Sequence, residues 1–105
     1  MIALDKENFQ AEVKDAKGLV LVDFWSESCE QCKELMPEIV TLSEKYGGQI
    51  KFAKLDITKA RRLAIAEQVL GLPTIILYKD GQKLGEVKKE DASAANVEAL
   101  IKNNL

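Results

Sequence analysis

Cys29 and Cys32 are the only cysteines in the chain and stand two residues apart, in the run Trp25-Ser26-Glu27-Ser28-Cys29-Glu30-Gln31-Cys32. Thiols at that spacing can close on one another and reopen, and in a reducing compartment such a pair is more often reactive than structural. The run joins an apolar stretch, Leu19 to Trp25, to a segment with helical spacing. Cys29 therefore falls where free helix N–H groups and the positive end of the helix dipole stabilise a thiolate, and it is the expected attacking sulfur. Cys32 comes one turn further in, on the side of Leu35, Met36 and Ile39, less exposed and suited to resolving a mixed disulfide. A purely structural staple is the weaker reading, because closing so short a loop removes about 2 kcal/mol of unfolded-state entropy against nearly 5 for a loop of about a hundred residues. A metal site is weaker still. The chain has no histidine and no third cysteine, so two thiolates would need donors from a second chain.

Asp23 is the next chemical signal, because it interrupts Leu19-Val20-Leu21-Val22 ahead of Phe24-Trp25 in what reads as a strand covered on both faces. A buried carboxylate needs a partner, a raised pKa, or both. Near the Cys32 side of the pair it is placed to take the thiol proton, directly or through water, as Cys32 attacks. Lys54 in the following strand is a candidate to offset its charge. The bland readings are that Asp23 faces an uncovered patch of sheet and that Lys54 is an ordinary exposed strand lysine.

The elements that position these residues follow in order. Ile2 to Leu4 is a short apolar start, and Asp5 caps a helix with Phe9, Val13 and Ala16 inward, Leu4 and Phe9 forming a hydrophobic staple. Gly18 ends it, and Leu19 to Trp25 follows as a valine-rich central strand. After Cys29, helical spacing of Leu35, Met36, Ile39, Leu42 and Tyr46 runs to Gly47-Gly48, with Pro37 expected to bend the helix. Lys51 to Asp56 reads as a strand, about Lys59 to Val69 as a helix stopped at Gly71-Leu72-Pro73, and Thr74 to Tyr78 as a β-branched strand. Lys79-Asp80-Gly81-Gln82 is a hairpin signal leading to an edge strand near Lys83 to Val87. A last helix spans roughly Ser93 to Asn103. The order βαβαβαββα predicts an α/β sandwich with about five strands and about four helices on both faces of the sheet.

Composition narrows the function. The 105 residues suit one domain, 1–105, and 47% hydrophobic with 30% charged residues is a globular balance. A formal net charge of −2 gives no footprint for gripping phosphate backbones, so nucleic-acid binding is not expected. Absence of histidine removes histidine-based acid/base catalysis, Ser-His-Asp triads and zincin motifs. No apolar run approaches the roughly 20 residues of a membrane span, and the acidic Met1 to Gln10 segment lacks the form of a signal peptide. The expected location is the cytoplasm, with no cofactor, no metal and no membrane partner.

Val22-Asp23-Phe24-Trp25, the C-x-x-C followed by Lys33, Pro37, the run Phe52-Ala53-Lys54-Leu55-Asp56, Gly71-Leu72-Pro73-Thr74 and Lys79-Asp80-Gly81 together resemble the bacterial thioredoxin family over essentially the whole chain. The resemblance implies the thioredoxin fold, a central mixed sheet flanked by helices, with Pro73 forming a cis peptide beside the cysteines. It implies reduction of protein disulfides by dithiol exchange, with Cys29 as nucleophile, Cys32 as resolving thiol and Asp23 as buried acid/base. Pro73 also has its own logic, since it lacks an N–H near the sulfurs, although a simple strand-start proline fits the residues equally well. Trp25, Ile57, Gly71 and Leu72 preserve part of the family's docking surface for partners.

Three departures from the family pattern matter. Glu30-Gln31 replaces the usual Gly-Pro between the cysteines, and Ser28 replaces a tryptophan. Glu30 suits a helix N-terminus yet repels a thiolate at Cys29; repulsion is expected to dominate, raising the Cys29 pKa and making the pair more reducing. The later glycine of the docking surface is replaced near Lys89-Glu90, so Ser28, Glu30 and Lys89 make a charged rim, which selects partners and predicts a narrow partner set. Ala60-Arg61-Arg62-Leu63-Ala64-Ile65 and Leu70-Gly71-Leu72-Pro73 are similar to thioredoxins of anaerobic amino-acid-fermenting bacteria. That similarity implies a thioredoxin reductase as electron donor and admits glycine reductase as a partner of a monomeric carrier. A more oxidising oxidase or isomerase, and a binding module with incidental cysteines, are the alternatives.

Overall fold

The computed structural model describes Met1–Leu105. Five strands, β1 (Ile2–Leu4), β2 (Leu19–Trp25), β3 (Ile50–Asp56), β4 (Thr74–Lys79) and β5 (Gln82–Lys88), form one sheet in the order β1-β3-β2-β4-β5. β1, β3 and β2 are mutually parallel, β4 is antiparallel to β2 and β5 antiparallel to β4, so the sheet is mixed. Helices α1 (Glu30–Tyr46), α2 (Arg61–Ala66) and α3 (Ala94–Lys102) and a helical segment at Gln10–Lys14 cover its two faces.

Side-chain alternation along the strands sorts the core into two layers. Val20, Val22, Phe24, Ala53, Leu55, Ile76 and Tyr78 pack toward Phe9, Val13, Ala64 and Val69 on one face. Leu21, Ile50, Phe52, Ile75 and Leu77 pack toward Leu35, Ile39 and Leu42 of α1 and Val97 and Ile101 of α3 on the other. β2 lies between β3 and β4, with both its faces covered, as its apolar run predicts.

Local differences from the sequence expectation have physical causes. Asp5, expected to cap the first helix, instead closes the turn ahead of it, its Oδ1 accepting from the N–H groups of Glu7 and Asn8 at 2.9 Å each and the Asn8 side chain accepting from the Asp5 N–H, whereas Phe9 stands at the N-cap of Gln10–Lys14 with no side-chain cap bond. The segment then widens, the Asp15 N–H donating to the Gln10 carbonyl five residues back. α2 is shorter than predicted. Gln68 adopts φ 64°, its N–H donates to the Ile65 carbonyl and that of Val69 to the Ala64 carbonyl, which is a Schellman ending before Gly71. α1 continues through Pro37 without a break. Asp80 (φ 51°) and Gly81 (φ 80°) make the two-residue turn between paired Lys79 and Gln82.

Candidate active site

All of the chemistry gathers at one end of the sheet. The parallel strands β2 and β3 finish there at Trp25 and Asp56, which are register partners, and the antiparallel β4 begins there at Thr74, opposite Phe24. Chain leaving β2 becomes the cysteine loop, chain leaving β3 begins at Ile57, and chain entering β4 is Gly71-Leu72-Pro73. The sheet topology thus brings Trp25, Ile57, Leu72 and Pro73 to one rim although up to 48 residues, from 25 to 73, separate them.

Cys29 is the N-cap of α1 and Cys32 lies in its first turn, and the two are joined as a disulfide with Cα atoms 5.2 Å apart. The Cys32 N–H donates to Cys29 Sγ at 3.1 Å, so the sulfur takes the capping place usually filled by an oxygen. The Cys29 N–H donates to the Ser26 carbonyl at 3.2 Å, which folds the loop back before the helix starts. Cys29 is half-buried, whereas Cys32 is 1% exposed.

Asp23 is 1% exposed, and neither carboxylate oxygen has a hydrogen-bond partner. It shares the strand face of Leu21, the face that α1 covers. Burial pushes its carboxyl from 3.8 up to about 7, and the opposite charge of Lys54 pulls it partly back. Lys54 is its register partner on β3, half-buried, and lines a cleft of about 400 Å³ with Trp25, Glu27, Lys33, Met36 and Pro37. Asp23 therefore does not face an open patch of sheet, and Lys54 is not an ordinary exposed lysine.

The Leu72-Pro73 peptide is cis and Pro73 is buried. The Thr74 hydroxyl donates to the Gly71 carbonyl at 2.6 Å and fastens the loop before it. Gly71 and Leu72 are half-buried, and Ile57 and Leu72 pack against the core layer beneath. Glu30 is exposed and its carboxylate lies 3.5 Å from Lys33 Nζ, while Gln31 Nε2 donates to the Lys89 carbonyl at 3.0 Å. That last bond spans 58 residues and has no counterpart in any local sequence signal. Leu70, 84% exposed beside Gly71, is a further rim residue that core-seeking periodicity passes over because it does not face inward.

A disulfide capping a helix at one end of a mixed sheet, with a buried carboxyl in the strand that leads to it and a cis proline at the start of the neighbouring strand, defines a thiol–disulfide exchange protein. The thioredoxin family model matches residues 1–103. The chain is similar to thioredoxin of Acetoanaerobium sticklandii (64% identical over 105 residues, 100% of both chains) and to thioredoxin of Peptoclostridium acidaminophilum (50% identical over 105 residues, 100% of this chain and 96% of the other). It is also similar to thioredoxin C-2 of Corynebacterium nephridii, 35% identical over 99 residues, 94% of this chain and 91% of the other. The chain belongs to the thioredoxin family and is a protein-disulfide oxidoreductase working by dithiol–disulfide exchange. No helix is long and apolar enough to cross a membrane.

Proposed function

We propose that residues 1–105 act as one thioredoxin domain, a monomeric cytoplasmic carrier that reduces protein disulfides through Cys29 and is itself reduced by a thioredoxin reductase. The observation that carries the assignment of roles is the contrast within the pair: Cys29 half-exposed at the helix cap, Cys32 buried behind it. The Cys29 thiolate attacks one sulfur of the partner disulfide, a mixed disulfide forms, and the other partner sulfur leaves as a thiolate that takes a proton from water. Cys32 then passes its proton toward the Asp23 carboxylate and attacks Cys29 Sγ, which releases the second partner thiol. The partner gains two electrons and two protons, and this chain ends as the Cys29–Cys32 disulfide. A carboxyl titrating at about 7 is matched to taking and returning that proton near neutrality. Lys54 tunes it, Pro73 shapes the loop beside the sulfurs, and Glu30 and Gln31 set the redox balance of the pair.

Trp25, Ile57, Gly71 and Leu72 form the docking rim, and the charges around it restrict the partner set. Glycine reductase is the partner we propose on the resemblance of Ala60-Arg61-Arg62-Leu63-Ala64-Ile65 and Leu70-Gly71-Leu72-Pro73 to thioredoxins of anaerobic amino-acid-fermenting bacteria. Cys32→Ser tests the roles directly: with a disulfide protein as substrate it accumulates a mixed disulfide through Cys29, and Cys29→Ser accumulates none. A Cys32→Ser protein that forms no covalent adduct would count against the assignment.

A further inference from the structure

Lys89 holds an unusual position at this rim. Its φ is 55°, a left-handed conformation that a lysine adopts at a cost and a glycine does not. Three bonds hold its backbone there: the Lys89 N–H donates to the Pro73 carbonyl at 2.7 Å, and its own carbonyl accepts from Gln31 Nε2 and from the Ala92 N–H at 3.0 Å each. The residue is thereby tied at once to the cis-proline loop and to the segment between the two cysteines. Its stem lies across Gly71, where a Cβ would run into Lys89 Cε and touch Cδ and Cγ. Since the ammonium is one bond beyond Cε, a positive charge sits at the mouth of the docking loop.

That charge has no partner within the chain. The salt bridges are Lys14–Glu67, Lys33–Glu30, Lys45–Glu98, Lys51–Glu12 and Lys88–Glu86, and Lys89 is in none of them. Its acidic neighbours in sequence, Glu90 and Asp91, leave it unpaired, and the carboxylate between the cysteines, Glu30, is already engaged by Lys33. Beside Gly71 and Leu72 the rim therefore presents an unpaired cation, next to the exposed Leu70. We propose that Lys89 is a specificity-determining residue that selects partner segments carrying a carboxylate next to the disulfide under attack. The proposal rests on the reading of Gly71-Leu72 as docking surface, and it names the partner chemistry behind the restricted set.

Three disulfide peptides that differ only in Glu, Gln or Lys beside the attacked cysteine provide the test. Pre-reduced protein is mixed with each in excess, and oxidation is followed through Trp25, the single tryptophan. The expected second-order rates fall in the order Glu, Gln, Lys, with about a two- to fivefold spread, the size of one exposed ion pair. The spread collapses in about 1 M salt, where the screening length is about 3 Å. Lys89→Gln removes the preference, Lys89→Glu reverses it, and Lys89→Arg retains it. A spread that survives intact in Lys89→Gln, or a uniform change in all three rates with the ratio unaltered, overturns the role of Lys89 while leaving a selective rim in place. Equal rates for the three peptides on the unmodified protein overturn both.

Discussion

At the residue scale, Asp23 carries the largest electrostatic consequence. Its carboxyl titrates at about 7 in the folded chain against 3.8 for a free carboxyl, because burial removes water and supplies no hydrogen bond in return. The folded state thus holds the proton more tightly than the unfolded state. Its contribution to stability is complete below about pH 4 and is lost as pH rises through about 7. With about 1.4 kcal/mol for each pH unit between the two values, the loss above about pH 8 is about 4 kcal/mol. Asp23→Asn, which does not titrate, should gain about 2–4 kcal/mol relative to the unmodified disulfide form between about pH 4 and about pH 8. Denaturant unfolding at the two pH values checks this, and a stability difference that stays flat with pH contradicts it. Asp23 was legible in the sequence because a lone charge in a valine-rich run violates the pattern of a covered strand. The bond from Gln31 to Lys89 was not, since neither residue breaks any local rule and their meeting depends on where β5 ends.

At the scale of elements, the pattern-bearing strands and α1 are read correctly because apolar periodicity reflects two covered faces. α2 ends earlier than its periodicity implies, for Gln68 takes the left-handed position that glycine usually signals, and its Schellman bonds offset the backbone cost. α1 is continuous from Glu30 to Tyr46 with Pro37 inside it, and the Thr41 hydroxyl donates to the Pro37 carbonyl at 3.1 Å. The β4–β5 hairpin is where glycine is indispensable. Gly81 has φ 80°, and a Cβ there would strike the Lys14 carbonyl. Its neighbour Asp80 locks the turn to the start of β2, Oδ1 accepting from the Gly18 N–H at 2.7 Å and its own N–H donating to the Gly18 carbonyl at 3.0 Å. Gly81→Ala should therefore destabilise the fold by about 2 kcal/mol or more, combining left-handed strain with the steric clash. Chemical denaturation measures it, and a loss under about half a kcal/mol would show that the turn relaxes freely.

Across the whole molecule, the sheet order brings the ends of β2, β3 and β5 and the start of β4 to one end, and that end holds the disulfide, the cis proline and the charged rim. Both cysteines lie at that end, so exchange is confined to a surface that a partner protein must approach from one direction. At that surface Cys29 is half-exposed and Cys32 is buried, so a partner reaches Cys29 first. The most direct measurement is alkylation of the reduced protein across a pH series, with each modified cysteine located by mass spectrometry. Cys29 should react at least tenfold faster than Cys32 throughout, in keeping with thiolate reactivity that follows access and helix-terminus charge. Its midpoint should fall to lower pH in Glu30→Gln as the neighbouring negative charge is removed. Equal modification of the two thiols, or faster modification of Cys32, contradicts the account.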